Sequence, residues 1–322
     1  YGQQTFIDPT NPATGPYVWK ILKKNYYDYG IRNFWLDEAE PEVHPQQFNN
    51  LKFFAGNGAQ TAMLYPYYYS KMVYDGLKES GEDDIIILTR AAYPGTQKFG
   101  SLVWNGDIVS TFDALRMSVK TGLSMAMCGI PWWNSDIGGF LFADIESDYF
   151  KELVVRWAQF GVFSPVMRLH GSRKRQSTYV ERHPGIIEKS GGDNEIWSFG
   201  EEDYVILKDL VELRNRLKSY ICKYMDITTE TGAPIMRPMF FDYYDDEICY
   251  TLEDQYMFGE DILFAPITGQ GQTKRKVYLP KGQWIDTRTK EEISGEKWIE
   301  CQAAIDEFIA FVKKGSNIIN AF

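Results

Sequence analysis

The sequence predicts an α/β protein: a partial (β/α)8-type barrel with about six β/α units in this chain, followed by a C-terminal β-sandwich. Three observations carry this reading. Short apolar runs alternate with longer helical patterns over the first two-thirds of the chain, which implies parallel strands with helical crossovers. A polar or charged residue closes each of the strand patterns, namely Asp8, Asp37, Arg90, Asp107, Asp136 and His170. A closed barrel builds its working face from such strand ends. From about Pro234 the helical period gives way to short strand patterns punctuated by Gly, Pro, Asp and Lys. An open nucleotide-binding sheet is disfavoured, because neither GxGxxG nor GxxxxGK followed by Ser or Thr occurs.

The elements follow in order. TFID (5–8) reads as a short strand. A helix is expected over 14–29, capped by Asn11 and stopped by Gly30. IRNFWLD (31–37) is a buried strand. The loop containing FNNLKFFAGNG (48–58) leads to a helix around YPYYYSKMVYDGLKESG that stops at Gly81. DIIILTR (84–90) is the clearest buried strand, with branched apolar residues in sequence. SLVWNGD (101–107) is another, and the helix after it is capped by Ser110 or Thr111. MCGIPWWNSD (127–136) supplies a strand over 127–134, SDYFKELVVRWAQFGV (147–162) an amphipathic helix and PVMRLHG (165–171) a strand over 165–170. A long helix is expected over 201–221. MRPMFFDY, QYMFGEDILFAPI, RKVYLP, GQWIDT and EFIAFVK are the strand patterns of the sandwich. The expected division is a barrel portion over 1–232 and a sandwich over 233–322. Two further barrel strands are expected before Tyr1, on a companion segment or chain.

Composition excludes several functions. The 322 residues are 44% apolar, enough for a substantial core. With 44 acids against 34 bases, the net charge is -10. That disfavours nucleic acid and anionic membrane as partners, since both attract a basic face. No apolar run reaches the ~18 residues of a membrane span, and no leader pattern heads the chain. Cysteines 128, 222, 249 and 301 form no CxxC pair and lie near no histidine at zinc spacing. They are expected as reduced core residues, with no metal and no cofactor. The chain starts abruptly at Tyr1, so the missing leader tells little; the acidic charge and free-looking cysteines lean to a cytoplasmic protein, with a homo-oligomer as an open expectation. The aromatic share of 16% suits a large core first, and otherwise a site built of ring faces for sugars or flat ligands.

Nucleophilic serine or cysteine catalysis is hard to assemble from three histidines, at 44, 170 and 183, without a GxSxG elbow. Metal catalysis lacks HExxH or any clustered ligand set. Acidic residues at strand ends remain. Two carboxylates flanking a glycosidic bond suffice for hydrolysis, one attacking the anomeric carbon and one protonating the leaving oxygen. FWLDEAEPEV (34–43) concentrates the first candidates: Asp37, Glu38, Glu40 and Glu42 directly behind an apolar strand. SRKRQ (172–176) is a basic cluster, read chiefly as a solvated loop or an ion-pair partner of nearby acids.

Seven segments in order, four in the barrel portion and three in the sandwich, then resemble glycoside hydrolase family 31. FWLDEAEPE is similar to its W-I/L-D-M-N-E-P nucleophile motif, and LVWNGDIVSTFDALRMSV to its W-x-G-D acid/base segment. GIPWWNSDIGGF and RWAQFGVFSPVMRLHG resemble its G-x-P-x-x-x-x-D-I-G-G-F and R-W-x-Q-x-G-x-F-x-P-x-x-R-x-H segments. APIMRPMFFDY, DQYMFGEDILFAPI and VYLPKGQWID resemble the start of its C-terminal sandwich. The resemblance spans about 10–285.

The resemblance implies a role for each matching residue. Asp37 matches the nucleophile and Asp107 the general acid/base, with a carboxyl raised by burial and by the Asp37 charge. Glu40 is the second catalytic candidate after Asp37, because it matches the motif glutamate, and is expected to brace the loop. Arg90 matches a substrate-binding arginine. Asp136 and His170 match groups that hold the hydroxyls of the non-reducing-end sugar, and Arg168 a neighbour that orients the aspartates. Trp35, Trp132 and Phe140 are candidate stacking or pocket-wall residues, and Trp104 an apolar wall for Asp107. Glu38 departs from the pattern, which has Met there. The implied activity is retaining, exo-acting hydrolysis of α-linked glucosides or α-xylosides, on an oligosaccharide or glycoside and without a cofactor. A transglycosylase using the same intermediate, or an inactive carbohydrate-binding chain, are the alternatives.

Overall fold

The computed structural model describes residues 6–41, 48–141, 143–175, 177–183, 185 and 190–322. The chain divides into two compact units, one of Tyr1–Asn105 with Cys128–Trp132, the other of Gly106–Met127 with Trp133–Phe322.

In the first unit, strands Phe34–Leu36, Ile87–Thr89 and Ser101–Trp104 run parallel in that order. Their register pairs Leu36 with Thr89 and Thr89 with Val103, so the residues that follow emerge at one end of the sheet. Helices Thr14–Asn25 and Tyr65–Glu79 supply the crossover layer. Trp19, Leu36, Met72, Val73, Leu77, Ile85 and Ile87 share its core.

The first helix stops at Asn25 instead of 29, and Tyr27–Tyr29 form a 3-10 turn. Tertiary contacts draw Tyr27 out of the helix. Its ring meets Trp19 at 5.7 Å, the Arg32 guanidinium covers it at 3.8 Å, and its hydroxyl donates to Glu82 at 2.7 Å. Asn11 does not cap that helix as expected: the cap position is Ala13, without a side-chain bond, and Asn11 accepts from the Ala13 N–H at 3.0 Å in the turn before it. The strand expected over 5–8 does not form over 6–8, and Thr5 lies outside the described residues. Asp8 makes a side-chain turn instead: its carboxylate accepts from the Thr10 N–H and hydroxyl, and from Phe54 N–H at 2.6 Å.

In the second unit, Thr111 and Ser147 cap the helices Phe112–Met127 and Asp148–Val162 through their hydroxyls. The strand expected over 165–170 is reduced to one parallel bridge between Asp136 and Arg168. The helix expected over 201–221 is two helices, Glu201–Arg216 and Lys218–Thr231, joined at the buried Leu217. The second helix ends at Gly232.

The C-terminal part forms two antiparallel sheets. Six strands lie in the order Glu292–Ser294, Gln283–Asp286, Ala310–Lys313, Ile262–Phe264, Tyr256–Phe258 and Met236–Pro238. Lys274–Leu279 pairs with Lys297–Gln302. Val277, Leu279, Cys301, Met257, Leu263, Trp284 and Phe311 join the two sheets in one core, the packing of a sandwich. MRPMFFDY was expected as strand throughout, but it turns helical at Met239–Asp242.

All four cysteines are free. Cys249 and Cys301 are buried as expected, whereas Cys128 and Cys222 are exposed. Among the described residues no helix is long and apolar enough to cross a membrane, and no cluster of three metal-ligating side chains occurs.

Candidate active site

The sheet register explains the first set of site residues. Because Leu36 pairs with Thr89, Asp37 and Arg90 leave adjacent strand ends side by side, and the Arg90 N–H donates to Leu36 O at 3.2 Å. The Arg90 guanidinium is nearly buried, at 12% exposure. It clasps Glu40 with two bonds, Nε to Oε1 at 2.8 Å and Nη2 to Oε2 at 2.9 Å. Its Nη1 reaches the Asp37 carboxylate at 3.1 Å. One planar cation therefore fixes both acids.

Asp37 remains exposed, and its Oδ1 accepts from the Glu38 N–H at 2.8 Å. Glu38 adopts φ 50, an uncommon conformation for a non-glycine residue. Glu42 lies outside the described residues. Trp35 is half exposed and stands edge-on to the buried Trp104 at 5.5 Å. Trp104 thus supports Trp35 from below. Tyr69 was not anticipated. Burial, then the Asp37 and Glu38 charges, push its phenol above the ordinary value of 10.0.

The second unit assembles the other set. Asp107 was expected to be raised by burial, but it follows Gly106 in a turn that leaves it exposed. The next residue, Ile108, accepts from Phe140 N–H at 2.8 Å and Leu141 N–H at 3.0 Å, so the Asp107 turn lies along the loop after Asp136. Asp136 is completely buried, and its Oδ1 accepts from Arg168. Its Oδ2 has no hydrogen-bond partner among the described residues. Burial, with the Asp107 charge adding, pushes its carboxyl up to about 7 against the pull of Arg168 and Arg173. Arg168 is held below its ordinary range by burial. The His170 ring stacks on Phe140 at 5.5 Å and 22°. Trp132 belongs to the first unit, where it is half buried and its carbonyl accepts from Val103 N–H at 3.1 Å.

The expectation for SRKRQ needs correction. Lys174 and Arg175 do lie at the surface, with Lys174 3.8 Å from Asp144 and Arg175 over the Tyr179 ring. Arg173 is fully buried and bonds three backbone carbonyls. A run of bases read as a unit hides such a residue. Gly138 and Gly171 make the space it fills, a relation that appears only in the folded chain.

The chain matches two domains of one family. Residues 1–224 match the glycosyl hydrolases family 31 TIM-barrel domain, and residues 232–319 the glycosyl hydrolase family 31 C-terminal domain. The chain belongs to glycoside hydrolase family 31. Its fold is accordingly a portion of the family's (β/α)8 TIM-type barrel followed by the C-terminal β-sandwich domain. A family 31 α-xylosidase from a soil metagenome, solved with xylose, superposes with a TM-score of 0.93 at 45% identity over 99% of this chain and 48% of that one. The α-xylosidase of Saccharolobus solfataricus is 31% identical over 97% of this chain and 41% of its own length. Alpha-glucosidase 2 of Bacillus thermoamyloliquefaciens is 31% identical over 98% of this chain and 38% of its own. The chain thus spans less than half the length of these relatives.

Proposed function

We propose that this chain carries the catalytic portion of a retaining, exo-acting α-glycosidase, divided at 232/233 into barrel and sandwich. Asp37 is the nucleophile. Its carboxylate attacks the anomeric carbon while Asp107 donates a proton to the departing glycosidic oxygen, leaving a β-glycosyl ester on Asp37. Asp107, now a carboxylate, takes a proton from water. The water oxygen bonds the anomeric carbon, the ester bond breaks, and the product keeps the α configuration. Arg90 and Glu40 hold Asp37 in place, and Arg90 also contacts substrate. Asp136, His170 and Arg168 recognise the hydroxyls of the terminal sugar, with Trp35, backed by Trp104, and Phe140 as ring faces.

The observation that carries this reading is the Arg90 fork, which fixes a carboxylate at the end of a barrel strand in a chain of this family. The 45% identity to the soil-metagenome α-xylosidase supports α-xylosides as the first substrate class, with α-glucosides second.

The test is hydrolysis of p-nitrophenyl α-xyloside and α-glucoside by the full chain and by Asp37→Ala. The expected result is turnover of one sugar by the wild type, loss in the variant, and partial recovery with azide as a β-glycosyl azide. A folded wild type that cleaves neither sugar, or an Asp37→Ala variant as active as wild type, refutes the assignment. Disaccharide products at high sugar concentration identify the transglycosylase alternative.

A further inference from the structure

We propose that Arg173 is a positioning residue that sets the sugar-recognition geometry of Asp136 and His170, an inference that rests on the glycosidase reading above.

The backbone at 136–141 and at 143 runs alongside 168–174. Ile137 N–H donates to Arg168 O at 3.2 Å, Ser172 N–H to Phe140 O at 2.8 Å and Lys174 N–H to Ala143 O at 2.9 Å. Bridges at Asp136–Arg168 and Ala143–Arg173 mark the two ends. Between those ends the Arg173 guanidinium takes the place of a regular ladder. Its Nη1 donates to Gly139 O at 2.8 Å, and its Nη2 donates to Ile137 O at 3.0 Å and His170 O at 3.3 Å. Its Nε donates to Asn194 Oδ1 at 2.5 Å, and its plane centre lies 4.7 Å from the Phe150 ring.

One rigid group therefore ties the turn directly after Asp136 to the carbonyl of His170. The Phe140–His170 ring stack couples the same two segments on their side-chain side. Lysine cannot replace this fork, because its ammonium is a point donor on a flexible stem.

Two glycines make the seat. A Cβ on Gly171 would stand 2.3 Å from the guanidinium carbon, and one on Gly138 would stand 3.0 Å from Nη2. The glycines in HG and DIGG thus leave room for Arg173. Any side chain at 171 would displace the guanidinium while leaving its charge in the protein.

A buried arginine that merely stabilises the fold would look similar, and Arg156 is such a residue. It is also buried, and it bonds Gln159 and the carbonyls of Glu307 and Ala303 away from this site. It serves as the control.

The experiment compares wild type, Arg173→Lys, Gly171→Ala and Arg156→Lys on p-nitrophenyl α-xyloside and on its single-deoxy analogues. Arg173→Lys and Gly171→Ala are expected to lower kcat/KM on the full sugar by about tenfold to a hundredfold. On the analogue lacking the hydroxyl held by Asp136 and His170, the loss should be within about threefold, because that contact is already gone. Arg156→Lys should lose equally on all sugars. If the two site variants also lose equally on all sugars, Arg173 is only structural and the proposal fails.

A second readout does not depend on turnover. With three histidines in the chain, carbon-13-labelled histidine gives few ring signals. Both variants should displace the His170 signal and leave that of His183, which stacks on Tyr179, in place. An unmoved His170 signal overturns the proposal whatever the activity. A displaced signal in a chain whose wild type hydrolyses neither sugar upholds the positioning geometry and rejects the glycosidase reading.

Discussion

Asp136→Asn isolates the energetic consequence of a buried carboxyl. The Asp136 carboxyl sits with no exposure, and burial raises it from the ordinary 3.8 to about 7. The charged and titratable groups facing it are Arg168, Arg173 and Asp107. A carboxyl raised on folding takes up a proton as the chain folds. Its contribution to stability therefore falls as pH rises from 3.8 to about 7, and the penalty is complete above that window. The interval of about 3 pH units, at about 1.4 kcal/mol each, gives on the order of 4 kcal/mol. Asparagine keeps the shape and cannot ionise. Near pH 4 wild type and variant should be similar in stability, and by pH 8 the wild type should be the less stable by that amount. Urea unfolding followed by tryptophan fluorescence at each pH measures the difference. A difference that stays flat across the window, or that moves in favour of wild type, refutes the reasoning. A sugar hydroxyl donating to the unpartnered Oδ2 would favour the ionised form, so saturating sugar should move the window to lower pH.

Two other substitutions test other parts of the structure. Glu40→Gln removes one charge from the Arg90 clasp and leaves Arg90 to pair with Asp37 alone, so kcat/KM should fall by about tenfold to a hundredfold; because Glu40 is 40% exposed, the stability change should stay within about 1 kcal/mol, and unchanged kinetics would remove Glu40 from the site. Gly122→Ala would set a Cβ 1.7 Å from the Trp133 ring inside a buried helix contact, and it should destabilise the chain by about 1–3 kcal/mol in the same urea assay, whereas a neutral result would mean that the helix and Trp133 can move apart.

Local pattern located the elements that place the site. The apolar runs before Asp37 and Arg90 did form adjacent parallel strands, and their register brought the two residues to 3.1 Å. The strand ends were legible because both periodicity and the abrupt change to charge are local. The elements that differed depend on distant partners. Tyr27 leaves its helix for Trp19, Arg32 and Glu82. PVMRLH has an extended pattern, but among the described residues one bridge, to Asp136, is all the ladder it makes. In Lys218–Thr231 the buried Tyr220, Ile221, Tyr224 and Thr228 fall at helical spacing, yet the polar residues between them hid the stripe. Arg173 shows the same limit at the site. A basic run suggests solvent, and only the folded chain reveals which member is sealed among carbonyls.

The order of the six-stranded sheet sets a constraint on synthesis. Ala310–Lys313 comes latest in sequence of the six strands, yet it lies between Gln283–Asp286 and Ile262–Phe264. As the chain leaves the ribosome, the strands over 236–264 and those over 283–294 can each pair among themselves, but neither group can join the other. Both then present an apolar edge open to pairing with other chains. The sheet closes when Ala310, Phe311 and Val312, all buried, slot between them. A nascent chain stalled just short of this strand would hold nearly all of the sandwich's residues and lack its connecting seam, a natural target for chaperones.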